Sequence, residues 1–559
     1  MTKKVRDWPL ALVSKSDGIV MPVALVVMLL LTVLGMGALV SSSTDLLTTR
    51  TQKQGKAAFY AAEGGIVYGT KSLDNLLTTT LAPAAAQLAA ITAPSFPGFT
   101  FDAFSVVTSS PSTLITITIG PYAGLYAFST PYTITSQASG TVPDNGTVRL
   151  TQSVEDRLIP LFQFGVFYNG DLEIFPGPSM TFNGRIHSNK DIYIGPGSGN
   201  TLKVDSRTSS AGNIYRCRKD NPSSCSSAQI KKTDGTYASL TYDHNNSNWA
   251  TKAYQDWSGL VQDSAHGVQK LNLPIGTSSP IDLIKRGDTV NPADSSESAT
   301  LKSSRMYWQA DLRILGNADG TYNAYYKDGT AATVDPPTAV LTKTFYDYRQ
   351  GKIITVREID IVALGGCACK PANGILYVSE TQNETNSKAV RLKSGATLPT
   401  GGLTVASDNP LYVKGDYNTA AKKGGAIMSD AITFLSNNWS DTNAANSSSP
   451  FSSRVASDTT VNAAVVTGNT NTSVGNYNGG LENLPRFLEY WTGRTFTYRG
   501  SLIDLWQSQQ ATARWIYGSP IYTAPNRVWS YDTDFNNPAN LPPGTPKVRS
   551  LARAQWARM

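Results

Sequence analysis

Apolar residues run without a single charge from Ile19 to Val40, and beyond them the chain becomes amphipathic. The run is 22 residues long. At ~1.5 Å per helical residue it reaches about 33 Å, enough to cross a hydrocarbon core of ~30 Å. From Val40 to Pro83 there is no proline, and Leu39, Leu46, Leu47, Ala57, Ala58, Ala61, Ala62, Ile66, Val67, Leu73, Leu76 and Leu77 form a helical stripe. Gly35, Gly37, Gly55, Gly64 and Gly65 weaken it by roughly 1 kcal/mol each relative to alanine. The pattern predicts one helix over 19–80, apolar in its first half and one-sided in its second.

The period then changes to two. "FSVVTSSPSTLITITIGPY" and "TPYTITSQASGTVPDNGTVRLTQSVED" alternate β-branched and polar residues around turn signals. They predict a small antiparallel sheet over 81–158, packed on the helix. From "LFQFGVFYNGDLEIFPGPSMTFNGRIHSNKDIYIGPGSGNTLKV" onward, short strands are separated by NG, PGP and GPG corners, and the texture returns over 346–475. Such strands bury their inward residues only on neighbouring coils, which predicts a parallel β-helix-like domain over 159–205 and 346–475. A β-sandwich is the alternative. Residues 206–345 read as a polar insert, with helical candidates in "SGLVQDSAHGVQKL" and "PIDLIKRG" and a strand pair around "ADLRILGNADGTYNAYY". Residues 476–559 are dense in aromatics, among them Tyr490, Trp491, Phe496, Tyr498, Trp506, Trp515, Tyr517, Tyr522, Trp529 and Tyr531. They read as a hydrophobic cap on an open end, or else as exposed rings for sugars or a partner.

Lys3, Lys4, Arg6 and Lys15 precede the apolar run, partly offset by Asp7 and Asp17. That excess holds the N-terminus in the cytoplasm and sends the remainder across the membrane. A cleaved secretory signal is the rival reading. Its apolar stretch is shorter, at about 7–15 residues, although Ser41–Ser43 could serve its cut.

Three features occur together here: a short basic leader, 1–18, ending in Gly18; the run containing "LLLTVLGMGAL"; and the block "AAFYAAEGG" at Ala57–Gly65. This stretch of about 50 residues resembles the N-terminal segment of the type IV pilin superfamily, and most closely that of the PilX-type minor pilins. The resemblance implies that a prepilin peptidase cuts between Gly18 and Ile19. It also implies that the helix carrying Val23, Leu25, Leu30 and Leu34 anchors the chain in the inner membrane and later joins a filament core. Glu63 would share in helix packing, with a solvated helix-face charge as the plainer reading. Major pilins carry a glutamate at the fifth mature position, which is Val23 here. In apolar surroundings that carboxylate pairs with a neighbour's terminal amine, so its absence is expected of a tip-located subunit. The implied partners are other minor and major pilins, the inner-membrane assembly platform, and a tip adhesin or surface polysaccharide. The implied location is the inner membrane, single-pass, then the pilus, cell surface or periplasm. The block "NGDLEIFPGPSMTFNGRIHSNKDIYIG" and the C-terminal stretch also resemble large PilX-type proteins, and the former loosely resembles bactofilins. Two readings remain open beside the minor pilin: a membrane-anchored scaffold outside any filament, and a β-helix carbohydrate-active enzyme.

Composition adds little. The chain has 48 basic and 41 acidic residues, a net charge of +7. No basic cluster interleaved with aromatics stands out, so nucleic acid is not expected as a partner. Lys547, Arg549, Arg553 and Arg558 read as a solvated basic tail or an anion-binding arm. Cys217, Cys225, Cys367 and Cys369 permit disulfides on the exported side. Cys217 and Cys225 close a small local loop, whereas a bond between Cys367 and Cys369 would be strained and a cross-pairing is also possible. His187, His244 and His266 show no metal-ligand spacing, so no metal or other cofactor is expected. For catalysis the candidates are Asp171 with Glu173, Asp191, Asp408 with Asp416, and His187 as a base. Turn-capping by Asp and a structural role for His187 are the favoured readings, so no enzyme is expected. "DTDFNN" at 532–537 is loosely similar to a calcium loop but lacks the full ligand spacing.

Overall fold

A computed structural model describes residues 20–558 apart from 142–145 and 382–386. Gly18, Ile19 and the expected leader lie outside the described residues. Helix α1 (Val20–Thr79) is continuous for 60 residues. Pro22 sits in its first turn, where no amide is needed for the ladder. The expectation of a long N-terminal helix followed by mainly β structure is met, and the two halves of α1 differ sharply. Every residue from Val20 to Lys53 is exposed. After that, Ala58, Ala61, Ala62, Gly65, Ile66, Gly69, Leu73 and Leu77 turn one buried face to a sheet.

The sheet is antiparallel: β1 (Phe99–Thr108), β2 (Thr113–Thr116), β3 (Tyr126–Gly140) and β4 (Thr147–Pro160). Tyr132, Ile134, Leu150 and Val154 on its inner face meet the helix. The approach is close. A Cβ on Gly65 would collide with the Ser136 hydroxyl, and one on Gly69 would lie 2.8 Å from Ile134 Cγ2. The glycines that weaken the helix locally are therefore what lets it seat.

Next come three parallel coils. The first is β5 (Val166–Tyr168), β6 (Leu172–Ile174) and β7 (Met180–Phe182). The second is β8 (Ile186–Ser188), β9 (Ile192–Ile194) and β10 (Leu202–Val204), and the third β11 (Thr208–Ser210), β12 (Ile214–Tyr215) and β13 (Gln229–Lys231). Each strand pairs in parallel with its counterpart one coil on. Leu172, Ile192 and Ile214 are fully buried at equivalent positions. β14 (Tyr237–Ser239) folds back on β13, and β15 (Val261–Gln262) extends the face begun by β5.

A second stack starts at β16 (Leu312–Gly316), which carries the antiparallel β17 (Tyr322–Tyr326) and β18 (Ala331–Ala332). A hairpin of β19 (Val340–Asp347) and β20 (Lys352–Asp360) opens its other face. Two strands per coil then alternate between the faces. One face receives β21 (Ile375–Ser379), β23 (Leu403–Ala406), β25 (Gly425–Met428), β27 (Thr459–Asn469) and β29 (Thr495–Gln507). The other receives β22 (Ser387–Lys393), β24 (Leu411–Lys414), β26 (Ile432–Leu435) and β28 (Pro485–Arg486). β30 (Asn526–Tyr531) lies along the first half of β29, and β5 pairs with its second half. The first three coils therefore dock on the last coil of the second stack.

That docking divides the chain differently from the boundaries expected. Residues 208–262 supply coil strands, while 263–311 form the crossing segment to the far end of the stack. Neither expected helix forms in it. Residues 264–266 and Pro280–Leu283 are single 3-10 turns; the helices found are Trp249–Trp257, before this segment, and the short Ala299–Ser304 and Met306–Gln309 within it. The C-terminal aromatics are no end cap either. β29 lies inside the stack, and Trp491, Phe496 and Tyr498 are core residues, leaving Tyr490 and Tyr517 among the exposed rings.

The basic C-terminus is not a free tail. β31 (Lys547–Arg558) returns to the first sheet and pairs antiparallel with β4. There the buried Arg549 donates from Nε to Asp156 Oδ1 at 2.7 Å and from its other nitrogens to the carbonyls of Leu77 and Leu81. One guanidinium thus meets the unpaired carbonyls at the end of α1, where positive charge is favoured, and an acid on β4. Burial raises the Asp156 carboxyl above its ordinary range, with Arg549 working in the opposite direction. Removing one partner of such a buried pair costs about 3–5 kcal/mol. Arg549→Ala should therefore lower the denaturant midpoint of the full chain in detergent and open the 77–81 segment to protease. An unchanged midpoint and digestion pattern would contradict this latch.

Candidate functional site

The apolar half of α1 is the most conspicuous surface of the molecule. Val23, Leu25, Leu30 and Leu34 are between 53 and 68 % exposed, and eleven further large apolar side chains between Val20 and Val40 are exposed with them. A helix apolar all round requires burial elsewhere. At about 1.5–3 kcal/mol for each large side chain, covering this surface is favoured by tens of kcal/mol. Two hydroxyls along and just past it bond within the helix. Thr32 Oγ1 donates to Met28 O at 2.9 Å, and Ser43 Oγ to Val40 O at 2.9 Å. Inside a bilayer such internal bonding is obligatory. Val23 presents no carboxylate on this surface. Glu63 is exposed, on the face turned away from the sheet, and makes no ion pair among the described residues.

The acidic candidates are mostly corner residues. Asp171 Oδ1 accepts from the Asp191 amide at 3.2 Å, and Asp191 Oδ1 accepts from the Asn213 amide at 2.8 Å. This ladder runs up one corner of the three coils, where Asp and Asn cap the turns. Asp171 also pairs with Lys219 at 2.7 Å. Asp416 Oδ1 accepts from the Thr460 amide at 2.8 Å. It lies beyond one end of β24 and Asp408 beyond the other, so the two do not form a pair. Burial raises Asp408 to about 6. Glu173 is buried, its carboxyl raised by that burial. In "DTDFNN", Asp532 and Asp534 are taken by Lys422 at 2.6 Å, with Arg499 Nε 3.2 Å from Asp532. Lysine and arginine stand where a calcium ion would have to.

His187 is fully buried among Tyr122, Phe164 and Phe167. Its Nδ1 is 2.9 Å from Ser209 Oγ and its Nε2 3.1 Å from Asn189 Oδ1. Asn189 Oδ1 also accepts from the Leu271 amide, so Nε2 carries the ring proton. Burial lowers this imidazole to about 4. It is a neutral packing element of the coil, one position in a Phe167, His187, Ser209 column.

The structure joins Cys217 to Cys225 and Cys367 to Cys369, without cross-pairing. Among the described residues no group of His, Cys, Asp and Glu could hold a metal ion. Two features escaped the sequence reading. Gly65 and Gly69 were detectable as small residues at helical spacing within "AAEGGIVYG". The latch was not, because Arg549 and Asp156 stand 393 positions apart.

No protein-family model matches the chain, and no curated protein matches it. Among solved structures, one match is the competence-associated pilin ComZ from Thermus thermophilus, 12% identical, with a TM-score of 0.28, covering 90% of this chain and 98% of that one. At that score the likeness carries no argument.

The buried histidine makes a checkable statement about acid stability. The unfolded imidazole takes a proton near pH 6.5 and the folded one only near 4. Stability contributed above pH 6.5 is therefore lost as pH falls toward 4, on the order of 3 kcal/mol. The stability gap between the wild type and His187→Gln should shrink by that amount between pH 7.5 and 4, read from denaturant curves. A gap independent of pH would show that the ring titrates normally.

Proposed function

We propose that this chain is a minor pilin-like subunit of a type IV pilus or a related type II secretion filament. One observation carries the proposal: a single helix whose first half is wholly exposed and apolar while its second half is pressed on an antiparallel sheet. Such a rod suits a subunit stored in the inner membrane through residues 20–40 and then transferred into a bundle of similar helices. Both settings bury the same side chains. The leader, the Gly18–Ile19 cut and the PilX-type assignment belong to this proposal, as does prepilin peptidase as processing partner.

Val23 supports a tip position. A subunit without the fifth-position carboxylate lacks the charge partner for a neighbouring terminal amine, and in an apolar core that loss is costly. The bulk of the two stacks points the same way, since a large exterior domain is most easily accommodated at an end. The role proposed is non-enzymatic: priming assembly and displaying the β domain outside the cell. Turn-capping acids and a packed histidine support that view.

The test is mass spectrometry of the mature N-terminus on protein recovered from sheared filaments. The expected result is a chain that begins at a methylated Ile19. A chain starting near Ser42 or Ser43, found free in culture fluid, would overturn the proposal. Intact Ile19-initiated protein found only in membranes would favour a scaffold that never enters a filament.

A further inference from the structure

Where the two stacks meet, one face runs on and another stops. β5 pairs in parallel with β29, so that face crosses the joint. β7 pairs with β10 and β30 with β29, and among the described residues no ladder joins β7 to β30. The two strand edges come together at one end, where the Tyr531 amide donates to Asn183 Oδ1 at 2.7 Å. Away from that contact a cavity of about 510 Å³ opens between Met180 and Thr181 on β7 and Arg527 to Trp529 on β30. A second, of about 640 Å³, continues past Arg527, which lines both, to the rings of Tyr477, Trp515, Tyr517 and Tyr522. Together they form one groove with Arg527 at its middle, and each part alone has the volume of a small-ligand site.

The aromatic part is held in place by its own contacts. Trp515 Nε1 donates to Tyr522 Oη at 2.9 Å, and Tyr477 and Tyr517 lie edge-on to Trp515 and Tyr522. Tyr517 is nevertheless 56 % exposed and Trp515 half-buried, so both keep ring surface for a ligand. Rings fixed in this way offer contact area at little entropic cost.

The charges are unequal along the groove. In the aromatic part Arg218 is occupied: it grips Asp220 at 2.9 and 3.3 Å and lies 4.2 Å from the centre of the Tyr477 ring. Glu482 stands in the same wall and is buried. The strand-edge part is lined by Lys203 and Arg527 and by no acid. Asp205, two residues on from Lys203, is bonded by the Tyr237 hydroxyl. Neither Lys203 nor Arg527 makes an ion pair among the described residues; each has an aromatic ring beside it, Tyr237 at 5.0 Å and Trp529 at 5.6 Å. Counting Asp220 and Glu482 as fully ionised still leaves three cations against two anions. A carboxylate answers the free pair, since a guanidinium takes it with two parallel hydrogen bonds. A neutral sugar would leave both cations unanswered. Two free cations, with acids at the aromatic end, are too few to track a run of phosphates. A chain of uronic acids brings apolar ring faces, carboxylates, and hydroxyls for Ser179 and Thr181 in one molecule.

We propose that this groove binds a uronate-containing oligosaccharide, its sugar faces on Trp515 and Tyr517 and its carboxylates on Arg527 and Lys203. The proposal rests on the display role above and names the ligand class. It is tested on isolated protein, so its failure would leave the filament reading, tested at the mature N-terminus, untouched.

The experiment titrates the full chain in non-ionic detergent with oligogalacturonate and oligomannuronate hexamers by calorimetry. Neutral hexose oligosaccharides, single-stranded DNA and glutamate peptides are run alongside. The expected result is preference for a uronate hexamer over all three, with binding at least tenfold weaker in Arg527→Ala and several-fold weaker in Lys203→Gln and Tyr517→Ala. Arg553→Gln removes the same charge from an exposed position on β31 outside the groove and should leave binding unchanged. Absence of uronate binding, preference for another probe, or an equal loss in Arg553→Gln would overturn the proposal. Should Arg527→Ala fail to fold, Lys203→Gln and Tyr517→Ala decide.

Discussion

How closely one helix can lie on one sheet governs the rest of this molecule. Ala58, Ala61, Ala62, Gly65 and Gly69 remove side-chain bulk from a single face of α1, and Ser136 and Ile134 on β3 come up to its backbone. The contact fixes the second half of the helix, and the rigid first half is then projected clear of the domain. Arg549 fastens the far end by joining α1, β4 and β31 through one buried guanidinium. Because β31 is the last strand and α1 the first helix, the chain closes on itself at this sheet. The coil stacks hang between two strands of it, β4 and β31.

This closure bears on mechanics. A subunit pulled from a bilayer by its helix would transmit force into a sheet held from both ends of the sequence. Two disulfides sit in the stacks, away from the seam. The stacks bring their own continuity through the β29–β5 pairing, the face that crosses the joint.

Local signals carried much of this. Charge-free length, helical stripe and alternating strands made the helix and first sheet legible, because each is written in neighbouring residues. The coils were legible as a texture of short strands and turn corners, among them Asp171 and Asp191, whose ladder joins the first three coils. Order in space was not. Nothing near Leu502 announces Val166 as its partner, so the aromatic stretch carrying β29 looked like an end when it lies inside. The groove was illegible for the same reason: Lys203 and Arg527 line it together only after the two stacks have met. For His187 and the acidic candidates only local bonding was legible, since isolated acids at glycine-rich corners and a lone histidine in a strand satisfy local backbone and packing needs first.

The central claim is that the exposed half of α1 finds its burial outside this chain, first in lipid and then among other helices. A photo-crosslinking amino acid at Leu30, in cells assembling filaments, tests it most directly. The account predicts lipid adducts in the membrane fraction and adducts to another helical subunit in the sheared-filament fraction. Ready labelling of position 30 by water-soluble reagents, with neither adduct, would contradict it.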